Sequence, residues 1–227
     1  MHQAREIHAM TNLNLSADEV LTTTRAVRKR LDFDKPVEAS VLEECLHIAL
    51  QAPSGSNSQG WQFMLVTDPD KIAAIAQLYQ QAFAAYEAGP SQPTKIHQDD
   101  PSMKHTQQRV LDSAKYLADN MAKVPAMLIP CCVGRIAEAN LPLAALSASF
   151  GSTLPAVWSF MLAARERGLG TCWTTLHLVY EQEVAELLGI PADISQLALI
   201  PIAYTKGTEF KQAPRKPLDG VLHTNAW

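Results

Sequence analysis

Ala52-Pro53-Ser54-Gly55-Ser56-Asn57-Ser58-Gln59-Gly60-Trp61-Gln62-Phe63 is the stretch on which the reading of this chain turns. It is polar and rich in turn formers; an apolar helical pattern precedes it and a strand pattern over residues 61–67 follows it. Glycine lets backbone approach a ligand closely, while Ser, Asn and Gln supply short, directional hydrogen-bond groups. Such a loop at the mouth of an apolar element suits a planar ligand with polar edges. The same residue types build ordinary connectors, and the loop alone favours that plainer reading. The segments on either side decide between the two.

Upstream, Ser40-Val41-Leu42-Glu43 has the spacing of a capping box. Val41, Leu42, Cys45, Leu46, Ala49 and Leu50 follow at helical period until Pro53. Another capping box, Ser16-Ala17-Asp18-Glu19, opens an earlier helix, and residues 1–15 read as a loose lead-in. Thr22, Thr23 and Thr24 weaken that helix just before Arg25, Arg28, Lys29 and Arg30. Downstream, Asp68-Pro69 supplies an N-cap with proline at the first helical position. Ile72, Ile75, Ala76, Tyr79 and Phe83 form the stripe of a helix that ends at Gly89-Pro90. After a polar loop at 90–101, Met103, Gln107, Val110, Ala114, Leu117 and Met121 give a one-sided helix.

Residues 125–133 read as an apolar strand, in which Pro130 disfavours a central, fully paired position. Residues 134–148 carry no clear pattern. Ala156, Val157, Phe160, Met161 and Ala164 define a long buried helix closing at Gly168. A strand over 171–177, a short helix over 181–188 ending at Gly189 and a strong strand over 196–204 complete the order. The proline-rich, cationic tail from 206 to 227 reads as an extended arm. Without repeats or low-complexity linkers, residues 16–227 form one α+β domain.

At 227 residues and 47% hydrophobic content, the chain can bury a sizeable core. A net charge of -4 and a pI near 6.0 argue against nucleic-acid partners. No apolar run approaches the length of a membrane span, and the N-terminus lacks a secretory core. Cys45, Cys131, Cys132 and Cys172 fit neither a disulfide framework nor a zinc site. Cys45 and Cys172 read as buried thiols, and the expected location is a reducing cytoplasm with no metal.

Arg25 and Arg28 lie where a helix gives way to a loop, and paired guanidiniums there make a phosphate clamp. Lys29 and Arg30 read instead as a solvated basic face. Arg215 is a third cation far along the chain. Gly168-Leu169-Gly170-Thr171-Cys172-Trp173-Thr174-Thr175 is a helix-to-strand turn and lacks a dinucleotide fingerprint. His177 is the only histidine expected near a site. No Ser-His-Asp or Cys-His set is visible, so chemistry by a bound cofactor fits better than chemistry by side chains.

Four segments, taken in order, resemble the FMN-dependent nitroreductase family. They are Thr23-Thr24-Arg25-Ala26-Val27-Arg28, the loop from Ala52 to Trp61, the turn from Gly168 to Thr174, and Pro214-Arg215-Lys216-Pro217-Leu218. The resemblance implies a three-layer α+β fold, with a central mixed or antiparallel sheet flanked by helices and a C-terminal arm wrapping a partner subunit. It implies an intertwined homodimer with FMN at the interface. Arg25, Ala26, Val27 and Arg28 match the flavin-binding basic motif and Arg215 the later phosphate arginine. Pro53, Ser54, Gly55, Asn57 and Gln59 match a loop reaching the flavin from the partner. Trp173, Thr174 and Thr175 match the strand end beside the flavin's N5 and O4 edge. NADH or NADPH would deliver hydride to N5 and a small electron-poor acceptor, nitroaromatic or quinone, would take it in a ping-pong cycle. Arg28 would stabilise the charge on N1 and O2, and no side-chain acid or base is required. Alternatives are an enone or flavin reductase of the same fold, or a flavin storage or sensor protein. Residues 84–123 correspond to a pocket cover. Thr24, Gly60 and Trp158 depart from the family pattern, where Arg, Pro and Gln are common.

Overall fold

β3, Ala126–Val133, is buried along its length except at Val133. It forms the middle of a six-stranded sheet in the computed structural model, which describes residues 12–96, 98–136 and 140–227. Most of the expected lead-in lies outside the described residues. β2, Trp61–Val66, runs antiparallel along one edge of β3. The other edge is shared: β6, Ile200–Thr205, pairs at Ala126, Met127 and Leu128, and β5, Ile194–Gln196, pairs at Cys131, Cys132 and Val133. β4, Leu169–Thr171, and β1, Leu31–Asp32, pair antiparallel with β6.

Pro130 therefore does sit in a central strand, contrary to the sequence expectation. The reason lies in the alternation of backbone groups. The Val133 N–H donates to the Gly60 carbonyl at 3.0 Å, so odd-numbered residues direct their N–H groups at β2. Pro130 faces the opposite edge, where β3 passes from β6 to β5, and its carbonyl accepts from the Leu197 N–H at 2.9 Å. The missing donor falls where no ladder bond is needed. The strand expected over 196–204 breaks at the same place, into β5 and β6. The strand expected over 171–177 also shortens. β4 ends at Thr171, Thr174 keeps one bridge to Leu199, and a 3-10 turn over Leu176–Tyr180 follows.

The pleat sends alternate β3 side chains to opposite faces. Met127, Ile129 and Cys131 pack with α3, Pro69–Ala88, α4, Lys104–Asn120, and Val184 of α6, Glu181–Leu188. Ala126 and Leu128 pack with α2, Ala39–Ala49, and α5, Leu143–Glu166. The result is the expected three-layer α+β architecture. Ser16 and Glu19 close the capping box of α1, Ala17–Thr23, and Asp68 accepts from the Asp70 and Lys71 N–H groups at the start of α3. The second box does not form, because α2 begins earlier, with Glu38 at its N-cap, and takes Ser40 into its first turn.

α5 starts inside the patternless 134–148 segment. By length and composition it could cross a membrane, which the expectation of no such run did not foresee. One face of it is a core face, holding Val157, Phe160, Met161 and Ala164 against the sheet. The other face remains exposed.

Candidate functional site

The Thr22, Thr23 and Thr24 hydroxyls donate to the carbonyls of Asp18, Glu19 and Val20, at 2.6, 2.6 and 2.7 Å. This back-bonding finishes α1. The chain leaves extended and lies beside β4, where the Val27 N–H donates to the Thr171 carbonyl at 2.8 Å and Ala26 bridges Thr171. The approach requires a glycine at 170. A Cβ there would meet Thr205, Leu31 and Val27 at 2.8, 2.9 and 2.9 Å. Gly170 is thus a packing requirement as well as a turn residue.

This crossing sets Arg25 and Arg28 apart in environment. Arg25 is exposed and its Nη1 donates to the Lys211 carbonyl at 3.1 Å. Arg28 is half-buried and its Nη1 donates to Ser113 Oγ of α4 at 3.2 Å. Cys172 and Tyr79 lie beside its guanidinium. Burial pushes both of those groups up from their ordinary pKa values, with Arg28 opposing. Among the described residues neither Arg25, Arg28 nor Arg215 pairs with a carboxylate. A half-buried guanidinium with donors to spare is costly unless an anion completes it.

Trp173 is half-buried, packed on the α2 and α5 cluster. Thr174 spends both donors within the chain: its N–H and hydroxyl go to the Leu199 carbonyl at 3.1 and 2.7 Å. It fixes the strand end, and Thr175 is the exposed member of the three.

The opening loop holds an unusual backbone. Ser56, Asn57 and Gln59 have φ of 53°, 53° and 47°. The left-handed region costs non-glycine residues of order 1–3 kcal/mol each, and such strain gathers at functional sites. Local bonds maintain it: the Gln59 N–H donates to Ser54 Oγ at 3.0 Å and Gln59 Nε2 to Asn57 Oδ1 at 3.0 Å. The Gly55 N–H donates to Ser152 Oγ of α5 at 2.9 Å. Pro53, Gly55, Asn57 and Gln59 are exposed.

Within one chain the loop and the cations stay apart. The loop meets α5 at Ser152, whereas Arg165 near the other end of α5 touches Thr23, two residues before Arg25. At 1.5 Å per residue these contacts are about 20 Å apart along the helix. Arg215 is also separate and exposed; among the described residues its Nη1 donates to the neighbouring Pro214 carbonyl at 3.0 Å. The arm that carries it is uncovered, as Trp227 at 101% relative exposure shows. The outward face of α5 is uncovered too, with Leu143 81% and Trp158 39% exposed. Ala144, Ala148, Gly151 and Pro155 are exposed with Trp158 at alternating steps of four and three, the period of a helix–helix seam.

Two expectations need correction. Arg30 is no freely solvated charge; its guanidinium donates to the carbonyls of Lys206, Gly207 and Glu209 and stacks on Phe210. His177 is fully buried between α6 and the sheet, with Glu181 and Gln196 beside it, and is a core residue. Sequence reading missed Ser113, Tyr79 and Ser152, because each reaches the site from a distant element and carries no local motif.

The nitroreductase family model matches residues 21–204. The iodotyrosine deiodinase of Drosophila melanogaster is 25% identical over 207 residues, 91% of this chain and 68% of that protein. A crystal structure of a variant of the FMN- and NADPH-dependent nitroreductase NfnB, from sphigopyxis sp. strain HMH, superposes with a TM-score of 0.64 at 26% identity, covering 94% of this chain and all of that one (100%). A nitroreductase-like family protein from Bacillus cereus gives a TM-score of 0.64 at 20% identity, covering 94% and 98% of the two chains.

Proposed function

This chain belongs to the nitroreductase family, and we propose that it is an oxidoreductase that holds FMN and moves hydride from NADH or NADPH to a small electron-poor acceptor. The observation that carries this reading is the unpaired cation set: Arg28 half-buried, Arg25 and Arg215 exposed, none matched by a carboxylate among the described residues. That donor set fits a terminal phosphate and a ring edge that gains negative charge. Bound FMN would supply the hydride acceptor, the ring nitrogen N5, for a ping-pong exchange between reductant and acceptor.

The chain's own residues then bind and polarise. Arg25 and Arg215 hold phosphate, and Arg28 supplies fixed positive charge in a site where burial strengthens it. Ala26 and Val27 hold the crossing over β4, Thr174 fixes the strand end, and Trp173 and Thr175 border the ring. Pro53, Ser54, Gly55, Asn57 and Gln59 complete the site from a second copy, since one chain keeps them distant from the cations. The homodimer joins through the exposed face of α5 and the arm, a surface that can exceed the roughly 1,000 Å² of a specific interface. Ser113 touching Arg28 is consistent with residues 84–123 covering the pocket.

The test is direct. The purified protein should be yellow, release FMN on acid extraction, bleach anaerobically with NADH or NADPH, and regain colour with a nitroaromatic or quinone. Release of FAD, or no flavin, overturns the reading. The likeness to a deiodinase adds 3-iodotyrosine to the acceptor panel, with iodide release as its readout.

A further inference from the structure

The root of the C-terminal arm is held by two arginines gripping one ring. Arg30 donates from Nε to the Lys206 carbonyl at 3.0 Å, from Nη1 to the Glu209 carbonyl at 2.8 Å and from Nη2 to the Gly207 carbonyl at 2.5 Å. Arg165, buried in α5, donates from Nη2 to the Thr208 carbonyl at 3.0 Å and from Nε to Thr23 Oγ1 at 3.3 Å. The two guanidinium carbons lie 4.1 and 4.9 Å from the centre of the Phe210 ring. Four successive carbonyls, 206 to 209, are thus taken by arginine N–H groups, and the next side chain stacks on those same arginines. Gly207 has φ of 75°, and a Cβ there would meet Arg30 Nη2 at 2.9 Å, so a side chain at 207 would push the guanidinium aside.

The clamp stands at the cation site. Lys211, the residue after Phe210, gives its carbonyl to Arg25. Arg215 follows four residues later, a span of at most about 14 Å. Where the root sits therefore decides where Arg25 is steadied and how far Arg215 can reach. Arg30 spends its donors on neutral carbonyls, and among the described residues no ion pair joins it to a carboxylate.

Building on the FMN reading above, we infer that Arg30, Arg165 and Phe210 are positioning residues for the cofactor phosphate: they fasten residues 206–211 so that Arg25 and Arg215 meet it together. A residue that merely stabilises the fold would weaken every flavin alike. A residue that positions phosphate ligands would weaken FMN and spare riboflavin, which has no phosphate.

The decisive variants are Phe210→Leu, which keeps apolar bulk but removes the ring face, and Gly207→Ala, which displaces Arg30 from the other side. Phe210 is only half-buried, and the alanine variant covers the case in which the leucine variant does not fold. Apo-proteins are treated with trypsin, read by mass for cleavage after Lys211 and Arg215, and titrated with FMN and with riboflavin by flavin fluorescence. We expect arm cleavage about fivefold faster or more, since cleavage follows the opened population. FMN Kd should rise about tenfold, with riboflavin Kd within about twofold of the parent. Unchanged cleavage overturns the clamp. Faster cleavage with unchanged FMN Kd, or with equal loss of both flavins, overturns the positioning role. Failure of the parent itself to bind FMN overturns the flavin reading and this role with it, while the cleavage comparison still judges the clamp.

Discussion

Acidification should destabilise this protein through His177. The ring is completely buried, and neither nitrogen has a well-aligned partner, although the Gln196 amide lies beside it. Burial holds its pKa down at about 4, against an opposing pull from Glu181, which is itself paired with Arg135 at 2.8 Å. The ordinary value is about 6.5, which the unfolded chain regains. Between these values the unfolded state carries a proton that the folded state does not, so stability rises with pH by about 1.4 kcal/mol per unit. Above 6.5 both forms are neutral and the effect vanishes; the loss of stability accumulates as pH falls from 6.5 toward 4. From pH 7.5 to 4.5 the loss from this one group is roughly 2–3 kcal/mol. Urea unfolding at those two pH values, at fixed protein and flavin concentration, compares the parent with His177→Leu. Titrating carboxylates act on both proteins, so the difference isolates the histidine. At pH 7.5 the leucine variant should lie within about 1 kcal/mol of the parent, because no well-aligned hydrogen bond is removed. At pH 4.5 it should be the more stable by roughly 2–3 kcal/mol relative to that baseline. Equal pH dependence in the two proteins refutes the reasoning.

Other substitutions separate the roles assigned above. Arg215→Ala should weaken FMN about tenfold to hundredfold, the loss of one charge-assisted hydrogen bond, and excess flavin should restore activity. Arg28→Ala should lower the flavin reduction potential and slow reduction even at FMN saturation, with Arg28→Lys recovering part; stopped-flow rates equal to the parent's would remove Arg28 from this role. Trp158→Glu sets a charge in the exposed α5 seam and should halve the mass seen by light scattering and release flavin; an intact dimer would move the interface elsewhere. Burial raises all four thiols, Cys45 and Cys131 to about 12, so Ellman's reagent at pH 8 should find none in the folded protein and four after denaturation.

Local patterns were sufficient for what local physics controls. The Ser16 capping box, the Asp68-Pro69 start of α3, the stripe from Ile72 to Phe83 and the extended arm are all legible in order, because each depends on neighbours within a turn or two. The four ordered segments also carried the family. What the sequence could not show depends on residues far apart in the chain. Pro130 looks like a strand breaker until the junction of β5 and β6 is seen opposite it, where a missing N–H costs nothing. Thr171 to His177 has strand composition, yet the turn at Leu176 draws His177 under α6 instead. Arg30 reads as a surface charge beside Arg28, and only the return of residues 206–210 gives it three acceptors and a ring. Ser113 and Ser152 are unremarkable in their helices; tertiary packing alone places one against Arg28 and the other against Gly55. Element type follows from periods of two and 3.6 along the chain, whereas a binding site is a meeting of distant segments, and the packing that brings them together is set by the whole core at once.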